Sequence, residues 1–348
     1  MSSVFVIDDS AVVRQAMVAM LDGDAGIELA GTAPNPLIAA PLIRKKRPDV
    51  LLLDIEMPGM DGLTFLRQQM AEAPIPTVIC SSLSTEGSRI ALDALAAGAV
   101  AIVAKPKLGL RQFLEDSRRE LISTLKAAAL SRPRMPKPRP LSTLPVRTPS
   151  MRGPHALSVN KPVVIGSSTG GTQAIEQILR ALPADAPGIA IVQHMPERFT
   201  AMFAERLDGL CAMQVREARD GDRLERGIVL VAPGGKHMKL RKAGGQYFAV
   251  VLDGPPVNRH KPSVDVLFRS LCEHTNGDAL AIMLTGMGDD GARGMKQLHE
   301  LGVRTLAQDE ASCVVFGMPM EAIKLGAVDE VLPLDAMADA VTCFDARG

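Results

Sequence analysis

The sequence of 348 residues has no net charge, no long apolar run and no closely paired cysteines, and each absence excludes a class of protein. Its 39 basic and 39 acidic residues cancel, so no overall field attracts nucleic acid or an anionic membrane. No apolar run approaches the ~18 residues of a membrane span, and no basic region precedes a signal-peptide core at the N-terminus. These absences predict a cytoplasmic protein without direct membrane insertion, whose partners do not include nucleic acid.

The cysteines exclude two kinds of stabilising site. They are odd in number, widely separated and free of C-x-x-C spacing, so neither a disulfide framework nor a structural zinc site is indicated. The five are Cys80, Cys211, Cys272, Cys313 and Cys343. We expect them to be buried thiols in a reducing compartment.

Acidic residues are missing from one long stretch, between Glu120 and Glu176. Within it, Ser131 to Pro154 contains seven prolines and six lysines or arginines. Such a segment cannot bury enough apolar surface to fold, and its prolines favour an extended tether. The sequence therefore predicts a first domain, a basic linker and a second domain, at 1–126, 127–158 and 159–348.

The first 126 residues alternate short apolar runs with amphipathic helical patterns, and the alternation occurs five times. Predicted strands lie at Val4–Ile7, Ile27–Ala30, Val50–Leu53, Thr77–Cys80 and Val100–Val103. Repeated strand–helix units of this kind predict an α/β domain with a doubly wound parallel sheet.

Polar residues follow several of these strands directly. They are Asp8, Asp9, Asp54, Ser81 and Lys105. Because the carboxyl ends of parallel strands share one edge of the sheet, three carboxylates, a hydroxyl and an ammonium group are expected to converge. Carboxylates held together repel one another, and a bound Mg²⁺ offsets that repulsion. The sequence therefore predicts a magnesium site at this edge.

The region 159–348 shows the same alternation. Predicted strands lie at Val163–Ile165, Ile189–Val192, Ile228–Val231 and Ala279–Leu284. A hairpin-like stretch, Met238–Asp253, predicts an antiparallel pair attached to the parallel sheet. We expect a second doubly wound domain, Rossmann-like but without dinucleotide-binding chemistry.

A turn dense in glycine, serine and threonine, from Gly166 to Thr172, links the first of these strands to a helical pattern. It has neither the lysine of a Walker loop nor G-x-G-x-x-G spacing. It suits a nucleophile, Ser168, flanked by backbone N–H groups, and equally a polar cap on a helix. The turn alone does not distinguish the two.

A serine nucleophile needs a base, and the base needs an orienting group. His194 follows one predicted strand, and both Asp289 and Asp290 follow another. Together with Ser168, these residues are expected at one edge of one sheet, as a triad requires. His237 also trails a strand and is the rival base.

The first domain resembles the receiver domain of two-component response regulators, which is flavodoxin-like. The resemblance rests on Asp8-Asp9-Ser10, the run from Asp54 to Gly62, Ser81-Ser82, Ala97-Gly98-Ala99 and Lys105-Pro106. It implies that a histidine kinase phosphorylates Asp54 and that Ser81 and Lys105 contact the phosphoryl group. It implies Mg²⁺ ligands at Asp8, Asp9, Asp54 and the Glu56 backbone carbonyl.

The whole chain resembles the chemotaxis protein-glutamate methylesterases. The shared motifs are Ile165-Gly-Ser-Ser168-Thr-Gly-Gly-Thr172, Gln193-His-Met-Pro196, Ala232-Pro-Gly-Gly-Lys-His-Met238, Lys261-Pro-Ser-Val-Asp-Val-Leu-Phe268, Leu284-Thr-Gly-Met-Gly-Asp-Asp-Gly291 and the run from Gln308 to Pro319. The resemblance implies that Ser168 is the nucleophile, His194 the base and Asp290 the orienting carboxylate. Asp289 places a second carboxylate beside them, and its role stays open.

The resemblance implies a function: hydrolysis of glutamyl γ-methyl esters on methyl-accepting chemotaxis receptors, with deamidation of receptor glutamines and no cofactor for the esterase reaction. We expect backbone N–H groups at Thr169 and Met287 to hold the oxyanion. The alternative is a non-catalytic response regulator that acts as a receptor or kinase adaptor. A transcriptional regulator is disfavoured, because the second domain shows no basic recognition-helix pattern.

Overall fold

The computed structural model of the chain describes residues 1–57, 60–82, 85–105, 111–131 and 161–346. It divides into two compact units, Met1–Pro138 and Arg139–Gly348. Residues 132–158 of the predicted linker lie outside the described residues, as do Pro58, Gly59 and Pro106 of the receiver motifs. The domain limits at 126 and 159 therefore stay predictions.

The first unit is a parallel sheet with the order β2-β1-β3-β4-β5. Its strands are β1 (Ser2–Ile7), β2 (Ile27–Ala33), β3 (Val50–Asp54), β4 (Thr77–Ser81) and β5 (Ala101–Ala104). Its helices are α1 (Ala11–Leu21), α2 (Pro36–Lys45), α3 (Gly62–Glu72), α4 (Thr85–Ala96) and α5 (Arg111–Leu130). The predicted fold class is confirmed.

Side-chain caps fix where three of these helices begin. Ser10, Asn35 and Asp61 accept backbone hydrogen bonds from Val13, Ile38 and Thr64 respectively. Each cap satisfies a backbone N–H that the first helical turn leaves without an internal partner. The loop between β1 and α1 is thereby held short, and Asp8 and Asp9 stay at the edge of the sheet.

The second unit contains a seven-stranded parallel sheet with the order β15-β14-β13-β6-β7-β10-β8. Its strands are β6 (Val163–Ser167), β7 (Ile189–Gln193), β8 (Gln214–Glu217), β10 (Ile228–Val231), β13 (Leu280–Met283), β14 (Arg304–Gln308) and β15 (Glu330–Leu332). Its helices are α6 (Gly171–Ala181), α7 (Phe199–Asp208), α8 (Val264–Cys272), α9 (Ala292–Glu300), α10 (Met318–Lys324) and α11 (Met337–Ala346), with a 3₁₀ turn at Leu334–Ala336.

A separate antiparallel sheet differs from the sequence prediction. It contains β9 (Arg223–Leu224), β11 (His237–Ala243) and β12 (Gln246–Leu252) in the order β11-β12-β9. The hairpin is present, but it pairs with β9 and does not extend the parallel sheet. Met238 and Leu240 alternate with exposed neighbours and lie in the same apolar core as Phe268 of α8. The apolar face of the hairpin therefore packs on α8.

The order of the large sheet creates a crevice beside β6. From β6 the chain builds outward through β7 and β10 on one side, and through β13 and β14 on the other. Ligands of open α/β sheets bind at such a switch point, outside the carboxyl ends of the strands. None of the described helices is long and apolar enough to cross a bilayer.

Candidate active site and phosphoacceptor pocket

Ser168 directly follows β6, at the switch point of the large sheet. Its backbone N–H donates to the Thr285 carbonyl at 3.0 Å, and its carbonyl accepts from Gly171 N at 2.8 Å. Its carbonyl also accepts from the Gln193 side chain at 2.9 Å. Three elements therefore hold the backbone of this residue at the mouth of the crevice.

The structure separates the three neighbouring hydroxyl groups. Ser167 is fully buried and donates its Oγ proton to Gln193 Oε1 at 2.7 Å. Thr169 is also buried, whereas Ser168 is partly exposed. Only a hydroxyl that meets solvent can attack an external protein substrate, and among these three that hydroxyl belongs to Ser168.

The helix that follows does not use these hydroxyl groups as a cap. The N-cap of α6 is Gly170, with φ of 79°, and no side chain caps the helix. Glycine suits this left-handed position because it has no Cβ. The interpretation of the turn as a polar helix cap therefore loses its structural basis.

His194 follows β7 and meets Asp290, which follows β13. His194 Nε2 lies 2.8 Å from Asp290 Oδ2, and both side chains are nearly inaccessible to solvent. The neighbouring Asp289 is exposed. The structure thus brings Asp290, and not Asp289, to the imidazole.

The carboxylate of Asp290 packs against the N-terminus of α8 and accepts five hydrogen bonds. The donors are His194 Nε2, Asn258 Nδ2, Ser263 Oγ and the backbone N–H groups of Val264 and Asp265, at 2.7 to 3.3 Å. Burial alone would raise the pKa of Asp290, but the His194 and other donors outweigh burial and lower the pKa below its usual value. The carboxylate therefore stays ionised and holds its proton-donating neighbours.

The other ring nitrogen of His194 is available. Nδ1 is buried and has no hydrogen-bond partner among the described residues. A buried nitrogen of this kind is costly unless it serves a ligand or a reaction. Since Nε2 faces Asp290, Nδ1 is the atom that can take a proton from a nucleophile.

Two backbone N–H groups near Ser168 are also available. Within the described ranges, the N–H groups of Thr169 and Met287 donate to no acceptor. Gly286 brings the second of them close, because a Cβ at this position would lie 2.8 Å from Ser168 Cβ. Two N–H groups beside a hydroxyl suit a developing oxyanion.

His237, the rival base, is engaged elsewhere. Its Nε2 lies 3.0 Å from the Pro255 carbonyl, and its Nδ1 accepts from Ser263 N at 3.3 Å. The ring is buried. With both nitrogens bound to the backbone, His237 supports the loop before α8 and does not face Ser168 as a base.

The sequence analysis missed two residues that contact the site. Asn258 donates to Asp290, and the ring of His260 stacks on the ring of His194. Neither follows a strand of the parallel sheet, so the pattern of polar residues at strand ends does not point to them. The signal that could have found them is their position just before Lys261, where a shared motif begins.

The first unit brings Asp8, Asp9, Asp54 and Lys105 together. Carboxylate oxygens of the three aspartates lie within 4.8 Å of one another. Lys105 Nζ donates to Asp54 Oδ2 at 2.7 Å and lies 3.3 Å from Asp8 Oδ2. Burial raises the pKa of Asp54 to about 6, against the opposing effect of Lys105. One ammonium group therefore leaves the cluster with excess negative charge.

The other predicted receiver residues lie beside this cluster. Glu56 N donates to Asp54 Oδ1 at 3.1 Å. Ser81 is buried at the end of β4, and its hydroxyl donates to the Ser82 carbonyl at 3.2 Å. The structure thus places Ser81 at the correct strand end, with its hydroxyl turned towards its own loop.

The donor set of this pocket fits a magnesium ion. Mg²⁺ prefers oxygen ligands, and the cluster offers carboxylate oxygens alone. Asp8 Oδ2 is buried and, among the residues that the structure describes, accepts no hydrogen bond, although Lys105 Nζ lies 3.3 Å away as an ion-pair partner. A divalent cation would satisfy this oxygen and neutralise the excess charge.

Two family models match the chain. The model described as the response regulator receiver domain matches residues 4–115, and the model described as CheB methylesterase matches residues 163–341. The first match contains Asp54, and the second contains Ser168, His194 and Asp290.

Individual relatives are similar over nearly the whole length. The protein-glutamate methylesterase/protein-glutamine glutaminase 2 of Dechloromonas aromatica is 53% identical over 350 aligned positions, which cover 98% of this chain and 97% of the relative. The protein of the same name from Xanthomonas campestris is 54% identical, covering 96% and 97%. The crystal structure of the Thermotoga maritima CheB methylesterase catalytic domain is 38% identical, with a TM-score of 0.51, and covers 52% of this chain and 97% of that one.

Proposed function

The chain belongs to the CheB methylesterase family and carries a response-regulator receiver domain, and from this membership we propose that it hydrolyses glutamyl γ-methyl esters on methyl-accepting chemotaxis receptors. The products are methanol and a free glutamate side chain. The relatives' names also include protein-glutamine glutaminase, which supports deamidation of receptor glutamines at the same site.

In this reaction Ser168 Oγ attacks the ester carbonyl while His194 Nδ1 accepts its proton. Asp290 holds Nε2 and stabilises the imidazolium that forms. The Thr169 and Met287 N–H groups stabilise the tetrahedral oxyanion. His194 then returns the proton to the leaving methoxide, and methanol departs. In the second stage, water gives a proton to His194 and attacks the acyl-enzyme, and His194 returns that proton to Ser168 as the glutamate is released.

One observation carries this mechanism: the His194–Asp290 pair lies at the same sheet edge as Ser168 and leaves one ring nitrogen without a partner. Esterases of the serine type need that arrangement, whereas an adaptor has no use for it. No metal or cofactor takes part in these steps.

The receiver unit is proposed to control this site. A histidine kinase of the chemotaxis system would phosphorylate Asp54, with Asp8, Asp9, Asp54 and the Glu56 carbonyl as the residues that would hold Mg²⁺. The ion supplies charge neutralisation for phosphoryl transfer. Lys105, already bonded to Asp54, and Ser81 would contact the phosphoryl group. Two domains on one tether have a high effective concentration for each other, which supports inhibition by the unphosphorylated receiver.

The Ser168→Ala variant tests the catalytic assignment. We expect loss of methanol release from methylated receptor membranes, and loss of covalent labelling by a serine-directed phosphonate, with the thermal unfolding temperature preserved. Labelling that survives in the variant would assign the nucleophile to another residue. Turnover close to that of the unchanged protein would contradict the proposed mechanism.

A further inference from the structure

A tight turn, from Val257 to His260, lies next to His194, the proposed base. Val257 and His260 exchange backbone hydrogen bonds at 3.0 and 2.9 Å. The two residues between them, Asn258 and Arg259, have φ of 49° and 70°. Asparagine tolerates this left-handed region, whereas arginine adopts it at a cost of about 1 kcal/mol or more. Neighbouring contacts must therefore hold this turn in place.

Asn258 provides the first of these contacts. Its Nδ2 group donates to Asp290 Oδ1 at 2.8 Å and to Asp265 Oδ2 at 2.7 Å. Both carboxylates are almost completely buried. An amide with two N–H groups can bind both carboxylates at once, whereas a carboxylate at this position would repel them. The turn is thus fastened to the group that orients His194.

His260 provides the second contact. Its ring lies parallel to the His194 ring, with an interplanar angle of 7° and a centroid separation of 3.7 Å. Burial, with further contributions from the His194 and Arg259 charges, lowers the pKa of His260 to about 3, although Asp290 opposes the shift. The ring is therefore neutral at physiological pH, and it can remain stacked when His194 gains a proton.

The stack supplies a restraint that the hydrogen bond to Asp290 lacks. A single hydrogen bond at Nε2 fixes one atom of the imidazole and leaves the ring free to rotate about that contact. A parallel ring at van der Waals distance removes this rotation. The direction of Nδ1, the nitrogen without a partner, is then set by His260.

We propose that Asn258 and His260 are positioning residues for the esterase reaction: Asn258 anchors Asp290, and His260 fixes the plane of the His194 ring. The inference rests on the proposed function, with Ser168 as nucleophile and His194 as base. Neither residue donates or accepts the transferred proton. Their effect reaches the reaction through the orientation of Nδ1.

The test compares two substitutions in the full-length protein. His260→Ala removes the stack, and His260→Phe replaces it with another flat ring. We expect His260→Ala to lower kcat for methanol release, and the rate of phosphonate labelling of Ser168, by about 10- to 100-fold, since small misplacements of reacting groups have effects of that size. KM for methylated receptor should change less than about twofold, because the ring holds no substrate. His260→Phe should recover most of the lost rate.

His299→Ala is the matched control. It removes an imidazole from the same unit, on α9, where the ring pairs with Asp329 at 3.2 Å. We expect its labelling rate to equal that of the unchanged protein. The final extent of labelling measures the amount of folded protein in every variant. A variant that labels slowly but to the full extent is therefore folded and has a misplaced base, whereas a reduced extent indicates loss of folded protein.

The outcomes are distinguishable. If the unchanged protein neither releases methanol nor labels at Ser168, the proposed function itself fails. If it does both and His260→Ala matches it, the positioning role is overturned. A His260→Ala protein whose extent of labelling falls in proportion to its activity would show a purely structural role, which also overturns the inference. A His260→Phe protein as slow as His260→Ala would overturn the role of stacking.

Discussion

Adjacent aspartates at the end of β13 differ in every physical respect that matters for catalysis. Asp290 is buried, accepts five hydrogen bonds and contacts His194, whereas Asp289 is exposed. At the scale of the residue, environment and not sequence position therefore decides which carboxylate orients the base. The pair offers a matched experiment one position apart.

Asp290→Asn should reduce kcat by about 10³- to 10⁴-fold, because an amide cannot stabilise the imidazolium or hold the same tautomer of His194. Asp289→Asn should change kcat less than about twofold, since its carboxylate faces solvent and lies outside the hydrogen-bond network. Methanol release from methylated receptor, compared at equal amounts of folded protein as measured by circular dichroism, measures both. Equal losses in the two variants would contradict the assignment of Asp290.

His260 should make the stability of the second unit depend on pH. Its pKa is about 3 in the folded chain, below the ordinary value of 6.5. Between these values the unfolded chain binds the extra proton, so the free energy of unfolding falls as pH decreases from about 6.5 towards 3, by at most about 1.4 kcal/mol per pH unit. Above about pH 6.5 the His260 ring is neutral in both the folded and the unfolded chain, so His260 no longer makes the free energy of unfolding depend on pH.

His260→Phe removes this titration. Urea denaturation at pH 7, 6, 5 and 4 should show the variant gaining stability relative to the unchanged protein as the pH falls. His299→Ala serves again as the control, because it removes an imidazole from α9 of the same unit. A stability difference between His260→Phe and the unchanged protein that stays constant across this range would mean that His260 remains titratable near its ordinary pKa.

At the scale of the element, the junction between β6 and α6 depends on the absence of a side chain at Gly170. A Cβ there would lie 2.5 Å from Val314 Cβ, in a residue with φ of 79°. Gly221 has a similar φ of 82°, but a Cβ would meet nothing within 4 Å. The two glycines therefore separate backbone strain from steric conflict.

Gly221→Ala should cost about 1 kcal/mol of unfolding free energy, from backbone strain alone. Gly170→Ala should cost about 3 kcal/mol or more, since Val314 must also move. It should also reduce methanol release, because Gly170 lies two residues after Ser168. Urea denaturation and turnover measure these effects. Equal destabilisation by the two substitutions would mean that Val314 yields without cost.

Elements differ in how well the sequence encodes them. Strands β6 and β7 are buried along their whole length, and each begins with an uninterrupted apolar run of three or four residues. Strands β8, β14 and β15 have no counterpart among the predicted strands. β8 and β15 lie at the edges of the sheet, with largely polar or exposed residues, whereas β14 is buried but has only Leu306 and Ala307 as consecutive apolar residues. A run of apolar residues indicates a buried strand, and strands with few consecutive apolar residues lack that signal.

The sequence predicts the triad of the candidate site but not the turn that contacts it. Ser168, His194 and Asp290 each follow a buried strand, so the sheet topology was enough to place them at one edge. Asn258 and His260 lie in a turn whose position is set by contacts with residues far along the chain. Local sequence patterns carry no information about such contacts, so they do not predict the stack on His194.

At the scale of the whole molecule, the proposed control of the esterase depends on metal binding in the negatively charged receiver pocket. A small-molecule phosphodonor with Mg²⁺ should increase methanol release by the full-length protein. EDTA should abolish the increase and leave the basal rate unchanged, because the proposed esterase steps use no metal. Asp54→Asn should likewise keep the basal rate and lose the increase. Stimulation that persists in Asp54→Asn would place the phosphoacceptor elsewhere.

The proposed triad is drawn from three separate strand ends, and the last of its members lies 122 positions after the first, from 168 to 290. During synthesis on the ribosome, the segment containing Ser168 emerges long before the segment containing Asp290. A nascent chain therefore carries a serine with no oriented base and cannot attack esters or amides in its surroundings. On the proposed assignment, hydrolytic activity requires that β13 has joined the sheet, and we expect a chain terminated before Asp290 to be inert.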